Sequence, residues 1–210
     1  MSGNGKNGRV LYVMGGLLLI AALALAAFNL WDDNRSGQES ASVLAQILPQ
    51  TTEAAVATGE YIPAEESAVP DYVLNPDMEM PEKKYADTAY IAVLRIPALG
   101  LELPVIGALD DTALRIAPCR YAGSVYTDDL VIAGHNYTSH FGRLRNLEYG
   151  DEVILTDMDG NVFDYAVVDV ETLAPTDIGD MLNGDWDLTL FTCTLSGQAR
   201  VTVRCCRIGG

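Results

Sequence analysis

The chain has 210 residues, enough for one or two modest domains, and 49% of them are hydrophobic. Twenty-nine acidic against thirteen basic residues give a net charge of −16, which argues against a nucleic-acid-binding protein, because neutralising phosphates requires clustered Lys and Arg. Four cysteines are too few for a disulfide scaffold, and they form no Cys-x-x-Cys or His/Cys cluster at metal-ligand spacing, so we expect no metal and no cofactor.

An apolar segment near the N-terminus is long enough to cross a membrane. Residues 10–28 carry no charge, and a helix of 19 residues spans about 28 Å at roughly 1.5 Å per residue. Basic residues precede the segment and acidic residues follow it, which predicts a single-pass anchor at 10–31, with residues 1–9 in the cytoplasm and the remainder extracellular. A cleaved signal peptide, with Ala24-Leu25-Ala26 as its cleavage site, is the alternative and exports the same remainder.

The next segment, residues 32–88, has the composition of a tether. It carries twelve acidic residues against three basic residues, together with five scattered prolines. Such a segment repels itself and buries little apolar surface, so we expect an extended linker. A short helix over Ala41–Ile47 is compatible with the pattern.

Residues 89–210 are predicted to form an all-β domain. Seven short β-branched runs are separated by turn residues: TAYIAVLRIP, LELPVIG, DLVIAGHN, EVILTD, NVFDYAVVDVETL, DLTLFTCT and RVTVRCCRI. Seven to eight strands of this length predict a small barrel or sandwich. Asp159-Gly160 predicts a tight hairpin turn with both central residues at positive φ. Short helices are expected near Asp110–Ile116 and Thr176–Leu182.

A cysteine and two histidines are the candidates for chemistry. Cys193 ends one strand-like run, and His135 ends another, 58 residues earlier. A thiol and an imidazole that are distant in sequence are typical of a cysteine nucleophile with an acid/base partner, although a lone strand cysteine is more often core filler. His140, the alternative histidine, lies in the loop 137–141 and is expected to be a solvated surface residue.

Three motifs in fixed order resemble the sortases, the membrane-anchored cysteine transpeptidases of Gram-positive cell surfaces. They are Gly134-His135, the TLxTC signature at Thr189–Cys193, and Arg200 at the start of the next strand. The resemblance covers residues 89–208 and implies a sortase-like closed β-barrel with one or two short helices. Papain-like peptidases place the cysteine before the histidine, and L,D-transpeptidases carry Gly-Cys, so neither family matches.

The resemblance also implies a role for each residue. Cys193 is the nucleophile, His135 is the general acid and then the base, and Arg200 steadies the oxyanion or the substrate carbonyls. Arg204 is the alternative arginine, because strand alternation puts it on the same face as Arg200, about 13 Å away. Thr192 either contacts substrate or simply favours a strand.

The remaining cysteines, Cys119, Cys205 and Cys206, lie outside the signature, and we expect free thiols. No EF-hand-like spacing is present, so the acidic residues are interpreted as solvated rather than calcium-binding.

The activity that the resemblance implies is cleavage of an LPXTG-like sorting signal, through a thioester on Cys193, with transfer to an amine of a peptidoglycan precursor. The alternatives are a pilin-polymerising sortase that uses a pilin lysine, and a non-catalytic membrane-tethered β domain that binds cell-wall components. Pilus-building members often carry a DPW/DPF-like lid and a second membrane helix. Asn75-Pro76-Asp77 matches such a lid poorly and the chain ends at Gly210, so the wall-anchoring role is favoured.

Overall fold

The computed structural model describes residues 4–48, 69–194 and 197–209, and side chains from residue 10 onwards. The chain divides into two compact units, Met1–Arg35 and Ser36–Gly210. Residues 49–68, about a third of the predicted linker, lie outside the described residues.

The first unit is helical. Helix α1 spans Asn4–Ile47 and begins in this unit. From Val10 onwards it contains a stretch that is long and apolar enough to cross a membrane, and none of that stretch is buried in the protein. The helix is therefore a candidate transmembrane span, as predicted.

The second unit begins with the end of α1, where the sequence predicts an extended linker. Val43, Leu44 and Ile47 are buried there against a hydrophobic cluster that includes Tyr90 and Ile106. The average composition of residues 32–88 conceals this short amphipathic stripe, whose apolar residues recur every three to four positions on one helix face. Residues 36–47 are thus part of the folded unit, and the predicted helix over 41–47 is the last part of α1.

The second unit contains a closed β-barrel. Its strands are β1 Lys83–Tyr85, β2 Thr88–Ile96, β3 Leu101–Ile106, β4 Cys119–Ala122, β5 Leu130–Gly134, β6 Glu152–Asp157, β7 Val162–Leu173, β8 Leu188–Cys193 and β9 Arg200–Arg207. They pair in the order β1-β2-β3-β4-β5-β8-β9-β7-β6, and an additional pairing of β2 with β6 closes a ring of eight strands, with β1 attached outside it. The all-β barrel prediction is confirmed.

Each of the seven predicted runs contains a strand, and the sequence missed only the two shortest, β1 and β4. β4 is a strand because it pairs with β5, and its four residues carry little alternation of their own. Short helices complete the described part of the unit: α2 Asp71–Leu74, α3 Ala113–Ile116, α4 Ile178–Leu182, and 3₁₀ turns at Pro97–Leu99 and Leu144–Asn146. The two predicted helices correspond to α3 and α4.

The predicted β6–β7 hairpin is present, but its turn differs from the expectation. Only Gly160 has a positive φ, of 89°, while Asp159 does not. The Gly160 N–H donates to the Asp157 carbonyl at 3.2 Å, which closes a turn over residues 157–160. Only the last residue of this turn, Gly160, is left-handed. The carboxylate of Asp157 accepts the Asp159 and Asn161 N–H groups, at 3.0 and 2.9 Å, and this stabilises the longer loop.

Candidate active site

Two strand pairings align the predicted site residues at one edge of the barrel. β5 and β8 are parallel, with Gly134 opposite Thr192. His135 directly follows β5, and Cys193 is the last residue of β8, so the two residues lie side by side just beyond the paired positions. β8 and β9 are antiparallel, with Cys193 opposite Arg200. Residues that lie 58 and 65 positions apart from His135 in sequence therefore share this edge with it.

Cys193 is the exposed member of the four free cysteines. Cys119 and Cys205 are fully buried in the hydrophobic interior. Burial raises the pKa of the Cys119 thiol to about 12 and also raises the pKa of Cys205, because the thiolate form is desolvated. Cys206 is half-buried. Cys193 is accordingly the thiol that an external substrate can reach.

Cys193 opens into a cleft with a volume of about 240 Å³, which we call the Cys193 cleft. Its polar lining residues are Asp177, Thr192, Cys193 and Arg200. Its apolar wall is formed by Leu109, Leu114, Tyr121, Ile178, Met181 and Phe191. Tyr121 and Phe191 meet edge to face at 5.3 Å, which stiffens this wall. A mainly apolar cleft with an exposed thiol in its lining suits a peptide with hydrophobic side chains.

Thr192 lines the Cys193 cleft, and its hydroxyl is buried. The residue is 3% exposed, and its Oγ1 has no hydrogen-bond partner among the described residues. A buried hydroxyl without a partner is unfavourable, and a ligand carbonyl or amide in the cleft would relieve that cost.

The two candidate arginines occupy different environments. Arg200 is half-buried at the cleft, and its guanidinium donates only long hydrogen bonds, at 3.4 and 3.3 Å, to the carbonyls of Gly197 and Ala199. Arg204 is 2% exposed and pairs with Glu171 at 2.8 Å. The Arg204 guanidinium is fully engaged in the protein interior, whereas that of Arg200 forms no ion pair with a described residue.

Arg204 anchors one wall of the Cys193 cleft. Its Nη1 donates to the Met181 carbonyl at 3.2 Å and to Thr189 Oγ1 at 3.0 Å, and its Nη2 donates to the Asp180 carbonyl at 2.5 Å. Asp180 and Met181 belong to α4, which contributes Ile178 and Met181 to the cleft. Arg204 therefore fastens α4 to the barrel.

His135 lies beside the cleft rather than among the residues that line it. It is half-buried, and its ring stacks on the ring of Tyr137, with centroids 3.9 Å apart and planes inclined by 17°. The preceding Gly134 permits close packing, since a Cβ at this position would lie 2.3 Å from the ring of Phe141. Glycine is thus required where β5 ends and the loop over residues 135–143, which we call the histidine loop, begins.

The structure contradicts the expectation that His140 is a solvated surface residue. His140 is 0% exposed, and its Nε2 lies 3.0 Å from the hydroxyl of Ser36 and 3.2 Å from that of Ser40. The sequence-based interpretation failed because both serines lie about 100 positions away, in the segment predicted to be a linker.

Two further features of the site were missed from the sequence. Tyr137, which stacks on His135, follows it at a spacing of two residues, but nothing in that spacing distinguishes it from any loop tyrosine. The α4 residues of the cleft wall were predicted as a helix without a role in the site.

The segment with the poor lid match lies elsewhere. Tyr72 in α2 stacks on Tyr126 at 4.8 Å, and no described residue of 69–81 lines the Cys193 cleft.

Across the described ranges, no group of three or more His, Cys, Asp or Glu side chains is arranged to hold a metal ion. The chemical groups that meet at this edge of the barrel are a reachable thiol, an imidazole, a guanidinium and a buried hydroxyl. Such a set is suited to acyl transfer, with the thiol as nucleophile, the imidazole as proton carrier and the cation near the developing oxyanion.

A comparison with protein-family models matches residues 94–208 to the sortase domain, which is more than half of the chain. A comparison with curated proteins found no match.

The fold is similar to several solved structures. A Streptococcus pneumoniae sortase C structure, described as informative on catalysis and pilin substrate specificity, is 26% identical over 58% of this chain and 70% of the other, with a TM-score of 0.51. Sortase C1 from Streptococcus agalactiae is 22% identical over 70% of this chain and 80% of the other, with a TM-score of 0.53. A sortase D5 transpeptidase of Clostridium perfringens is 24% identical over 57% of this chain and 79% of the other, with a TM-score of 0.50.

Proposed function

Because this chain belongs to the sortase family of cysteine transpeptidases, we propose that it cleaves an LPXTG-like sorting signal and transfers the released acyl group to an amine of a peptidoglycan precursor. The observation that carries the proposal is the shared edge of β5, β8 and β9. There Cys193, the exposed one of the four cysteines among the described residues, lies opposite Arg200 and next to the end of β5, which His135 follows.

In the first half-reaction, the Cys193 thiolate attacks the scissile carbonyl carbon. The C–N bond breaks, the imidazolium of His135 gives its proton to the leaving amine, and a thioester forms on Cys193. The guanidinium of Arg200 stabilises the oxyanion, and the hydroxyl of Thr192 hydrogen-bonds a substrate group at the same end of the cleft. The burial of the Thr192 hydroxyl without a hydrogen-bond partner among the described residues supports this assignment.

In the second half-reaction, the neutral imidazole of His135 removes a proton from the incoming amine. The amine attacks the thioester carbon, the C–S bond breaks, and the thiolate of Cys193 is regenerated. The enzyme returns to its starting protonation state, so the cycle needs no external oxidant or reductant. Water in place of the amine gives hydrolysis.

The second candidate acceptor is a lysine of a pilin. The similarity to the Streptococcus pneumoniae sortase C, whose structure is described in terms of pilin substrate specificity, favours this alternative. The two acceptors share the first half-reaction and differ only in the amine.

We also propose that α1 anchors the protein in the cell membrane, with residues 1–9 in the cytoplasm, the span at 10–31 and the catalytic domain outside. The charge distribution around the apolar stretch supports this orientation. It brings the Cys193 cleft to the side of the membrane on which surface proteins and wall precursors meet.

The test uses the full chain in detergent micelles or nanodiscs with a fluorogenic LPXTG-type peptide. With triglycine or with a lysine-containing pilin-like peptide as acceptor, mass spectrometry identifies the product. We expect cleavage by the wild type, an acyl-enzyme on the peptide that contains Cys193, and a transfer product that reveals the preferred amine.

Cys193→Ala and His135→Ala should each abolish cleavage. Cys206→Ala is the matched control, because this half-buried thiol lies outside the Cys193 cleft. Unchanged cleavage in Cys193→Ala would refute the nucleophile. A wild-type protein that binds the peptide or wall fragments without cleaving any of them would favour the non-catalytic binding domain instead.

A further inference from the structure

We propose that His140 and Tyr137 are positioning residues for His135, and that two serines at the end of α1 hold them in place. This inference rests on the proposed function, since it takes His135 as the acid and base. It makes the C-terminal part of α1 a working part of the active site rather than the beginning of a tether.

The end of α1 is firmly docked on the barrel unit. Val43, Leu44 and Ile47 are at most 8% exposed. Lys83 Nζ donates to the carbonyl of Ile47 at 2.6 Å, which satisfies one of the unpaired carbonyls at the helix end. At Gly37 the helix backbone comes so close to the histidine loop that an added Cβ would lie 3.0 Å from Ser139 Cβ.

The hydrogen bonds at this contact determine where the His140 proton lies. Ser36 Oγ donates to the Arg115 carbonyl at 2.5 Å, and Ser40 Oγ donates to the Ile116 carbonyl at 2.6 Å. A hydroxyl has one proton, so neither serine has a second one to give to His140. His140 Nε2 therefore carries the hydrogen and donates it to the serine oxygens, at 3.0 and 3.2 Å.

A continuous contact runs from these serines to His135. The ring of His140 meets that of Tyr137 at 5.6 Å and 59°, and the ring of Tyr137 stacks on His135 at 3.9 Å and 17°. The backbone reinforces the arrangement, because the Phe141 N–H donates to the His135 carbonyl at 3.1 Å and the His140 N–H to the Tyr137 carbonyl at 3.0 Å.

The consequence is a constraint on the rotation of the His135 ring. Tyr137 covers one of its faces and itself contacts the buried ring of His140, whose Nε2–H donates to the serine hydroxyls of α1. Proton transfer to a leaving amine demands a defined ring orientation, and misplacement by about 1 Å can cost roughly 100-fold in rate. Releasing the serine contacts should therefore slow the chemical step without removing any reacting group.

The test compares the double variant Ser36→Ala/Ser40→Ala with wild type, both as full chains in nanodiscs. We expect kcat and kcat/KM to fall together by roughly 10- to 100-fold, as for an interaction that matters in the transition state. Ser42→Ala is the matched control, because this serine lies on the exposed face of the same helix and donates only to Glu39, at 2.8 Å. His140→Gln keeps an N–H donor and should retain more activity than His140→Leu.

A second readout needs no substrate. Alkylation of Cys193 by iodoacetamide, followed by mass spectrometry from pH 5 to 10, reports the influence of His135 on the thiol. We expect the double variant to shift from the wild-type profile towards that of His135→Ala, while circular dichroism shows an intact barrel.

The outcomes separate the two proposals. If His135→Ala alters the alkylation profile while the double variant matches wild type in both profile and kcat, the positioning role is wrong and the proposed function stands. If His135→Ala leaves the alkylation profile unchanged and the wild type transfers no peptide, the proposed function is wrong, and the positioning role is wrong as well. A double variant with a lower melting temperature but wild-type kcat would show that the serines stabilise the fold only.

Discussion

Arg200 is the direct cross-strand partner of Cys193 in the antiparallel pair of β8 and β9. Side chains at directly opposed positions extend from the same face of a sheet, with Cβ atoms about 4.5–5.5 Å apart. The thiol and the guanidinium therefore border the same end of the Cys193 cleft, which both residues line. Four residues further along β9, Arg204 is opposite Thr189 instead.

The first prediction concerns Arg200. Arg200→Ala should lower kcat by about 10²- to 10³-fold, the effect of losing one oxyanion-stabilising group, while the free energy of unfolding changes by about 0.5 kcal/mol or less. Arg200→Lys keeps the charge without the planar fork and should be intermediate. Peptide cleavage and urea unfolding of the same samples measure both effects. Full activity in Arg200→Ala would mean that another group stabilises the oxyanion.

The second prediction concerns Arg204, which should matter for stability. Arg204→Ala leaves Glu171 without its partner and detaches α4. We expect the free energy of unfolding to fall by about 3 kcal/mol. This is the low end for a broken buried ion pair, because the Glu171 side chain is 35% exposed. Urea unfolding measures the loss. Arg145→Ala, at an exposed position, is the control and should change stability by about 0.5 kcal/mol or less. An equal change in both variants would contradict an anchoring role.

The third prediction concerns Gly134. In Gly134→Ala the new methyl group would lie 2.3 Å from the Phe141 ring, so the histidine loop must shift. We expect a stability loss of about 1–3 kcal/mol, as for overpacking, together with a lower kcat. Gly179→Ala is the control, because its nearest neighbour would be 3.7 Å away and alanine favours the helix. Thermal unfolding and cleavage rates distinguish the two variants, and a Gly134→Ala protein as active as wild type would disprove the close contact.

The fourth prediction concerns the buried thiols at alkaline pH. Burial raises the pKa of Cys119 from 9.0 to about 12, so above pH 9 the unfolded chain loses this proton while the folded chain keeps it. Stability should be independent of this group below pH 9 and should fall between pH 9 and 12, by up to about 1.4 kcal/mol per pH unit. Urea unfolding of wild type and Cys119→Ala across this range measures the difference in slope. Equal slopes would mean that the Cys119 thiol ionises as readily in the folded state as in the unfolded one.

Much of the barrel could be predicted from the sequence because its strands are encoded locally. The runs that become β2, β3 and β5 to β9 alternate or are β-branched throughout, and turn residues bound them. β1 and β4 were missed because three or four residues carry no usable period, and their conformation depends on the neighbouring strand. The β6–β7 turn was wrong in type because the carboxylate of Asp157 stabilises a longer loop.

The motif residues could likewise be located, but not their surroundings. Period-two alternation puts Arg200 and Arg204 on the same face, so the sequence could not separate a guanidinium at the cleft from one paired with Glu171. His140 appeared to be an ordinary loop histidine. Its burial depends on Ser36 and Ser40, which the acidic composition of their segment had assigned to a tether.

The amino-acid sequence by itself determined the strand pattern, the apolar helix and the short motifs that carry the histidine, the cysteine and the arginine, because each is a run of residues close together in the chain. Only the tertiary structure decided which arginine meets the thiol, which histidine is buried and where the folded unit begins. These outcomes depend on strand register and on contacts across about 100 residues, and the free energy of such contacts is realised only when the distant segments pack together.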